Sequence, residues 1–220
     1  MRFSDNDIEK LKISVSKSLS PKRFSHVLGV ERAAAKLAEK CAADVIDEIR
    51  VSAILHDITK EHSHEEQLEL ISKYGVRVTD DDLTAPETLH ALTAPPYIAE
   101  NYPEFATELV LSSISYHTVG NPDMDVAEAI LFVADFIEDG RTYPSSVNLR
   151  EKLYAELDSS GSILNMVSAL CGAVIESINA TVDHLTKNSL PTHPITENTL
   201  MAFVQRKNEI DRLVESGRRN

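Results

Sequence analysis

An ionisable pair, His56-Asp57, follows directly on an apolar run in which Val51, Ile54 and Leu55 recur at helical spacing, and Lys60 comes one turn after the histidine. A chain that sets such a pair at the edge of its core must bring it partners, because a buried charge left alone is costly. Neighbours on a helix differ by about 100° in direction. One member of the pair can therefore enter a pocket while the other lies across its wall.

Two other stretches can supply the partners. His26 sits in Arg23-Phe24-Ser25-His26-Val27-Leu28-Gly29-Val30, and Asp135 sits in Ile130-Leu131-Phe132-Val133-Ala134-Asp135-Phe136-Ile137-Glu138. Both are polar residues set in apolar helical patterns, where a group without a partner is disfavoured. Two histidines and two aspartates form a mixed nitrogen and oxygen donor set suited to iron, manganese, zinc, cobalt or nickel. The carboxylates would also offset the charge of a divalent ion.

Along the chain, apolar residues recur at three- and four-residue spacing. Ser4 or Asp5 caps a first helix carrying Ile8, Leu11, Val15 and Leu19, and Pro21 ends it and starts the next, over residues 22 to 40. A third helix, about 44 to 57, delivers the His-Asp pair. His64 starts a helix that Gly75 ends; His62 and His64 read as solvated residues rather than ligands, and Asp80-Asp81-Asp82 as a solvated loop. Thr84 with Glu87 suggests a capping box that places His90 near the end of a short helix before Pro95-Pro96. Pro103 then opens a helix running to His117, and Asp125 caps the helix around Asp135. Residues 147 to 158 and 161 to 184 read as helices, and Thr196 as the cap of a terminal helix through Leu213. The expected fold is all-α.

A formal charge of −13 argues against broad nucleic-acid or anionic-membrane binding. A small phosphorylated ligand remains compatible if a metal and a few local cations reverse the field within a pocket. Cys41 and Cys171 form no disulfide framework and read as buried free thiols. Met1-Arg2-Phe3 leads into a polar stretch rather than a signal-type run, and no apolar run approaches the roughly 18 residues needed to cross a membrane. A cytoplasmic location is expected.

The order His26, His56-Asp57, Asp135 resembles the HD phosphohydrolase superfamily, and the local wording resembles its YqeK family of symmetrical diadenosine tetraphosphatases. The matching pieces are Arg23-Phe24-Ser25-His26, Leu55-His56-Asp57-Ile58-Thr59-Lys60, Leu89-His90, Ser115-Tyr116-His117-Thr118-Val119-Gly120, Ala134-Asp135-Phe136-Ile137-Glu138 and Gly140-Arg141, with further similarity at His193-Pro194-Ile195-Thr196. The resemblance implies an HD-domain helical fold with additional C-terminal helices. Its parts would be an N-terminal helix (1–20), a catalytic core (21–142), C-terminal helices completing the same domain (143–214) and a frayed tail (215–220).

The resemblance also implies a metal held by His26, His56, Asp57 and Asp135: one ion, iron first, with manganese, cobalt, nickel or zinc as alternatives. Arg23, Lys60, His90, His117, Thr118 and Arg141 would contact the nucleotide, with Lys60 and His117 also serving catalysis. The implied reaction is hydrolysis of diadenosine tetraphosphate to two ADP, with ADP or GDP as a bound product or analogue and a homodimer admitted. Two other readings stand beside it. One is another HD nucleotide phosphohydrolase, a nucleotidase or cyclic-nucleotide phosphodiesterase; the other is a nucleotide-binding regulatory module without turnover.

Overall fold

The computed structural model describes residues 2–217, and among them the regular structure is entirely helical. In order the helices are α1 Asp5–Val15, α2 Pro21–Cys41, α3 Ile46–Leu55, α4 His64–Tyr74, α5 Asp80–Thr84, α6 Leu89–Asn101, α7 Glu108–Tyr116, α8 Val126–Ile137, α9 Pro144–Ser159, α10 Ile163–Lys187 and α11 Pro194–Gly217. Short 3₁₀ turns lie at Ala43–Val45, Pro86–Thr88 and Pro103–Phe105.

Local chemistry sets most of the helix starts. Ser4 with Asp7, Ser63 with Glu66, and Asp125 with Glu128 form reciprocal capping boxes, and Ser20 accepts from the Arg23 amide ahead of Pro21. Gly75 ends α4 in the left-handed region at φ 61°, where the absence of a Cβ removes the penalty.

Several expected boundaries are corrected. Asp80-Asp81-Asp82 is the first turn of α5, capped by Thr79, where three carboxylates meet the positive end of the helix dipole. Thr84 is therefore no cap, and its hydroxyl turns back to the Asp81 carbonyl. His90 is the second residue of α6, which continues through Pro95 and Pro96 because Leu89, Ala91, Ala94 and Ile98 anchor it in the core. Pro103 opens only a 3₁₀ turn, and Thr107 caps α7 instead. Helix α3 begins at Ile46 and ends at Leu55, so the His-Asp pair lies at its exit. Thr196 lies inside α11 and donates to the Val119 carbonyl. The tail expected from residue 215 begins inside α11, whose last residues are 215–217, and residues 218–220 lie outside the described residues.

The core is centred on α2, which packs on α3 and α8; α7 covers α3 and α8, and α10 joins α8, α9 and α11. Val27, Val30, Leu37, Ile49, Ile54, Ile130, Val133, Val174 and Phe203 belong to one buried cluster. By length and composition α10 is apolar enough to cross a membrane, contrary to the reading of the sequence. Its stripe of Leu170, Val174 and Ile178 is instead buried against the neighbouring helices. Cys171 is buried and Cys41 half-buried, both as free thiols.

The chain before α1 is tied to α3 by a buried carboxylate. Asp47 accepts from the amides of Arg2 and Phe3, the latter at 2.6 Å, while Phe3 packs on Phe105. Burial raises the Asp47 carboxyl, but the two amides outweigh it and leave it below its ordinary value. Stability from this group is thus present above the unfolded-state pKa and lost as pH falls through the lower folded value. Asp47→Asn, which keeps an acceptor but not the charge, is expected to cost about 1 kcal/mol at pH 7. Urea unfolding from pH 7 to 2 should show the gap from wild type closing below about pH 4; a gap constant over that range would contradict this account.

Candidate active site

The site is assembled from helix ends. His56, fully buried, caps the C-terminus of α3, and its Nδ1 donates to the Ala53 carbonyl at 2.7 Å. Tight turns follow, with Ile58, Lys60 and His62 amides donating to the carbonyls of Leu55, Asp57 and Thr59. Thr59 pins this segment: its hydroxyl meets Thr93 at 3.0 Å, and its carbonyl accepts from Gln67 at 2.6 Å. Asp57, only 3% exposed, is held rigidly over the end of α3.

Four other helices converge on this segment. Asp57 Oδ2 faces Arg23 Nη1 at 2.7 Å, His56 Nε2 at 3.3 Å and His26 Nε2 at 3.6 Å. Its other oxygen, Oδ1, faces His90 Nε2 at 3.3 Å and His117 Nε2 at 3.9 Å. Arg23 and His26 come from α2, His90 from α6, and His117 caps α7, its Nδ1 donating to the Ile114 carbonyl at 2.6 Å. Near the end of α8, Asp135 Oδ1 lies 3.0 Å from His26 Nε2 and accepts from Arg141 Nη2 at 2.7 Å. Lys60 Nζ donates to the Glu87 carbonyl at 2.7 Å and stands 3.3 Å from His90 Nδ1.

The electrostatics follow from this crowding. Burial would raise Asp57, but the charges of His56 and His90 and their hydrogen bonds hold it well below the usual carboxylate range. Burial likewise opposes ionisation of Asp135, and His26 and Arg141 overcome it. Lys60 is shifted down, chiefly by burial. His117 is pushed down to about 3 by burial and by the neighbouring His90 and His56. It is therefore neutral near pH 7.

A cation fits the arrangement. A carbonyl can only accept, so His56 and His117 carry a proton on Nδ1; their Nε2 atoms point inward, where a cation would take the lone pair in place of a proton. The Nε2 atoms of His26 and His56 are buried without a hydrogen-bond partner. Two sets of donor atoms, His26/His56/Asp135 and His56/Asp57/His117, each lie within 4.8 Å of one another. The chain thus contains a cluster able to bind a metal ion, with nitrogen and carboxylate donors in the proportions transition metals accept.

Of the residues singled out in the sequence, His26, His56, Asp57, Asp135, Arg23, Lys60, His90, His117 and Arg141 are brought together. Thr118 follows His117 directly, and its hydroxyl is buried without a hydrogen-bond partner. His62, whose Nδ1 donates to the Thr59 carbonyl, and exposed His64 lie outside the cluster, as the sequence suggested. The sequence reading quoted Glu138 without giving it a role and missed Arg150: Glu138 Oε1 lies 3.2 Å from His26 Nδ1, and Arg150 donates to the Ile137 and Glu138 carbonyls at 3.0 and 2.8 Å. The available signal was Gly29, a glycine inside α2 three residues beyond His26, which marks a close approach. Beside the cluster opens a cavity of about 810 Å³ lined by Lys22, Arg23, His26, Arg32, Arg141 and Tyr143, among others.

Comparison with known proteins agrees with this geometry. The family model described as "HD domain" matches residues 23–140, more than half of the chain. The symmetrical bis(5'-nucleosyl)-tetraphosphatase of Bacillus subtilis (strain 168) is 30% identical over 184 residues, covering 83% of this chain and 89% of that protein. The protein of the same name from Staphylococcus aureus (strain NCTC 8325) is 32% identical over 150 residues, covering 67% of this chain and 75% of that one. A crystal structure of a predicted HD superfamily hydrolase from Clostridium acetobutylicum, described as involved in NAD metabolism, superposes with a TM-score of 0.76 at 25% identity. It covers 90% of this chain and 97% of that one.

A ligand that binds only the native state stabilises it by about 2.7 kcal/mol at one hundred times its Kd. Chelator-stripped protein titrated with Mn²⁺ is expected to show a rise of that size in chemical denaturation, and His56→Ala combined with Asp57→Ala should lose it. An equal rise in the double variant would remove these residues from the ion site.

Proposed function

The chain belongs to the HD-domain family of metal-dependent hydrolases, and on that footing we propose that it cleaves diadenosine tetraphosphate symmetrically into two ADP. The observation that carries this reading is the joining of a buried histidine–aspartate cluster to three cations, Arg23, Arg141 and Lys60, in a chain whose formal charge is −13. That local reversal of sign suits a phosphate chain. The kinship with tetraphosphatases of the same name in Bacillus subtilis and Staphylococcus aureus supports the substrate.

In this reading His26, His56, Asp57 and Asp135 hold the ion, iron first, with manganese, cobalt, nickel or zinc as alternatives. When bound, the ion supplies Lewis-acid activation of water and of a phosphoryl oxygen. Arg23 and Arg141 already lean on the two carboxylates and present their remaining N–H groups to the open side, where planar guanidinium forks match phosphate oxygens. Lys60 adds a point charge beside His90. Water adds to a phosphorus next to the central bridging oxygen, the bond from that phosphorus to the oxygen breaks, and the second ADP leaves. Holding that phosphorus in line is the work of the three cations. Tyr143, 65% exposed on the cavity rim, offers an aromatic face to a base.

Metal number turns on His90. If its Nδ1 carries the proton, given to the Glu87 carbonyl at 2.9 Å, two Nε2 lone pairs confront one another across 3.1 Å, an arrangement that favours a second cation beside Asp57 Oδ1. If the proton is on Nε2, His90 donates to His117 while Lys60 serves Nδ1, and one ion suffices. Anomalous diffraction from metal-loaded crystals distinguishes these: a single peak is expected, with His90 donating to His117, and two peaks bridged by Asp57 would establish the two-cation reading instead.

Initial-rate reactions with diadenosine tetraphosphate, after iron reconstitution under reducing conditions, should release ADP alone. Arg23→Ala should raise KM at least tenfold while leaving metal content unchanged. AMP and ATP in equal amounts, or preferred turnover of a monophosphate or cyclic diester, would replace the assignment. Binding without turnover would point to a regulatory module.

A further inference from the structure

We infer that Glu138 is a positioning residue that fixes which nitrogen of His26 faces the metal cluster; the inference rests on the reading of His26 as a metal ligand. Glu138 is the first residue past α8 and is only 4% exposed, and a buried carboxylate must be bonded on both oxygens. Oε2 accepts from the Gly140 amide at 2.6 Å, and Oε1 lies 3.2 Å from His26 Nδ1. A carboxylate only accepts, so Glu138 is the seat for a proton on Nδ1. His26 Nε2 faces the cluster, 3.0 Å from Asp135 Oδ1 and 3.6 Å from Asp57 Oδ2, and is the nitrogen that would give its lone pair to an ion in place of a proton. Glu138 then does at Nδ1 of His26 what a backbone carbonyl does at Nδ1 of His56 and of His117.

The fold makes room for this carboxylate. A Cβ on Gly29 would stand 2.2 Å from Glu138 Oε2 and 3.1 Å from its Cδ, and a Cβ on Gly140 would stand 2.9 Å from Oε1. Gly29 lies in the interior of α2, where alanine would favour the helix more. Arg150 completes the seat by holding the Glu138 carbonyl at 2.8 Å. Such outer partners orient imidazole ligands and raise their basicity, and losing one typically weakens metal binding 10- to 100-fold.

Glutamine tests the idea because it has one acceptor where glutamate has two. In Glu138→Gln, if the amide oxygen keeps the Gly140 bond, the NH₂ group faces His26 Nδ1 and drives its proton to Nε2, the atom turned toward the cluster. Gly29→Ala displaces the carboxylate by bulk without changing charge. We expect ¹⁵N-histidine spectra of protein loaded with diamagnetic Zn²⁺ to show His26 protonated on Nδ1 and bound through Nε2 in wild type, and that signature to be lost in Glu138→Gln. Mn²⁺ titration followed by the free-ion paramagnetic signal should give a Kd at least tenfold weaker in Glu138→Gln and several-fold weaker in Gly29→Ala. His26→Ala is run alongside: an unchanged Kd there would sink the ligand reading itself. A weakened His26→Ala with an unchanged Zn²⁺-loaded His26 signature in Glu138→Gln, or with both other variants within twofold of wild type, would overturn the role of Glu138. If Glu138→Gln does not fold, the Gly29→Ala affinity decides.

Discussion

A carboxylate sealed from water governs the arrangement of this molecule. Asp57 is 3% exposed and ionised, and a charge in that position is tolerated only where positive or hydrogen-bonding groups surround it. The chain answers with Arg23, His26 and His56 on one oxygen and His90 and His117 on the other. These five residues come from α2, α6, α7 and the exit of α3, so satisfying one side chain fixes the mutual placement of four helices. The packing of α2 on α3 and of α7 on α3 supplies the apolar part of the same constraint.

Helix termini do a second kind of work here. The last carbonyls of a helix have no partner within it, and His56 and His117 use them, each donating Nδ1–H three residues back. One bond thus ends the helix and fixes the tautomer that turns Nε2 to the interior. His26 sits within a helix whose nearby carbonyls are already engaged, and the carboxylate of Glu138 stands where the other histidines have a carbonyl.

Much of this was legible in the sequence. Three- and four-residue periodicity located α2, α8 and α10, and the caps at Ser4 and Asp125 began their helices as read. The co-location of His26, His56, Asp57 and Asp135 was readable because polar residues interrupting apolar helical stripes need partners. Boundaries failed where two signals competed. Thr79 and Thr84 each precede an acidic residue by three, and the one nearer the acidic run won the cap. Pro95 and Pro96 suggested a stop, yet tertiary burial carried α6 through them. The link from Glu138 to His26 spans 112 positions, and short-range pattern does not reach that far.

Arg150 lies on α9, ten residues after the last one matched by the family model, yet it donates to the Ile137 and Glu138 carbonyls. Those carbonyls end α8 and begin the turn that carries Glu138 and Arg141, so a guanidinium beyond the recognisable motif region sets the height and pitch of a wall of the site. The segment by which such a chain is recognised is therefore shorter than the segment that makes it work. A chimera joining this core to a foreign C-terminal half would carry every motif letter and still lack the brace that holds two of them in place.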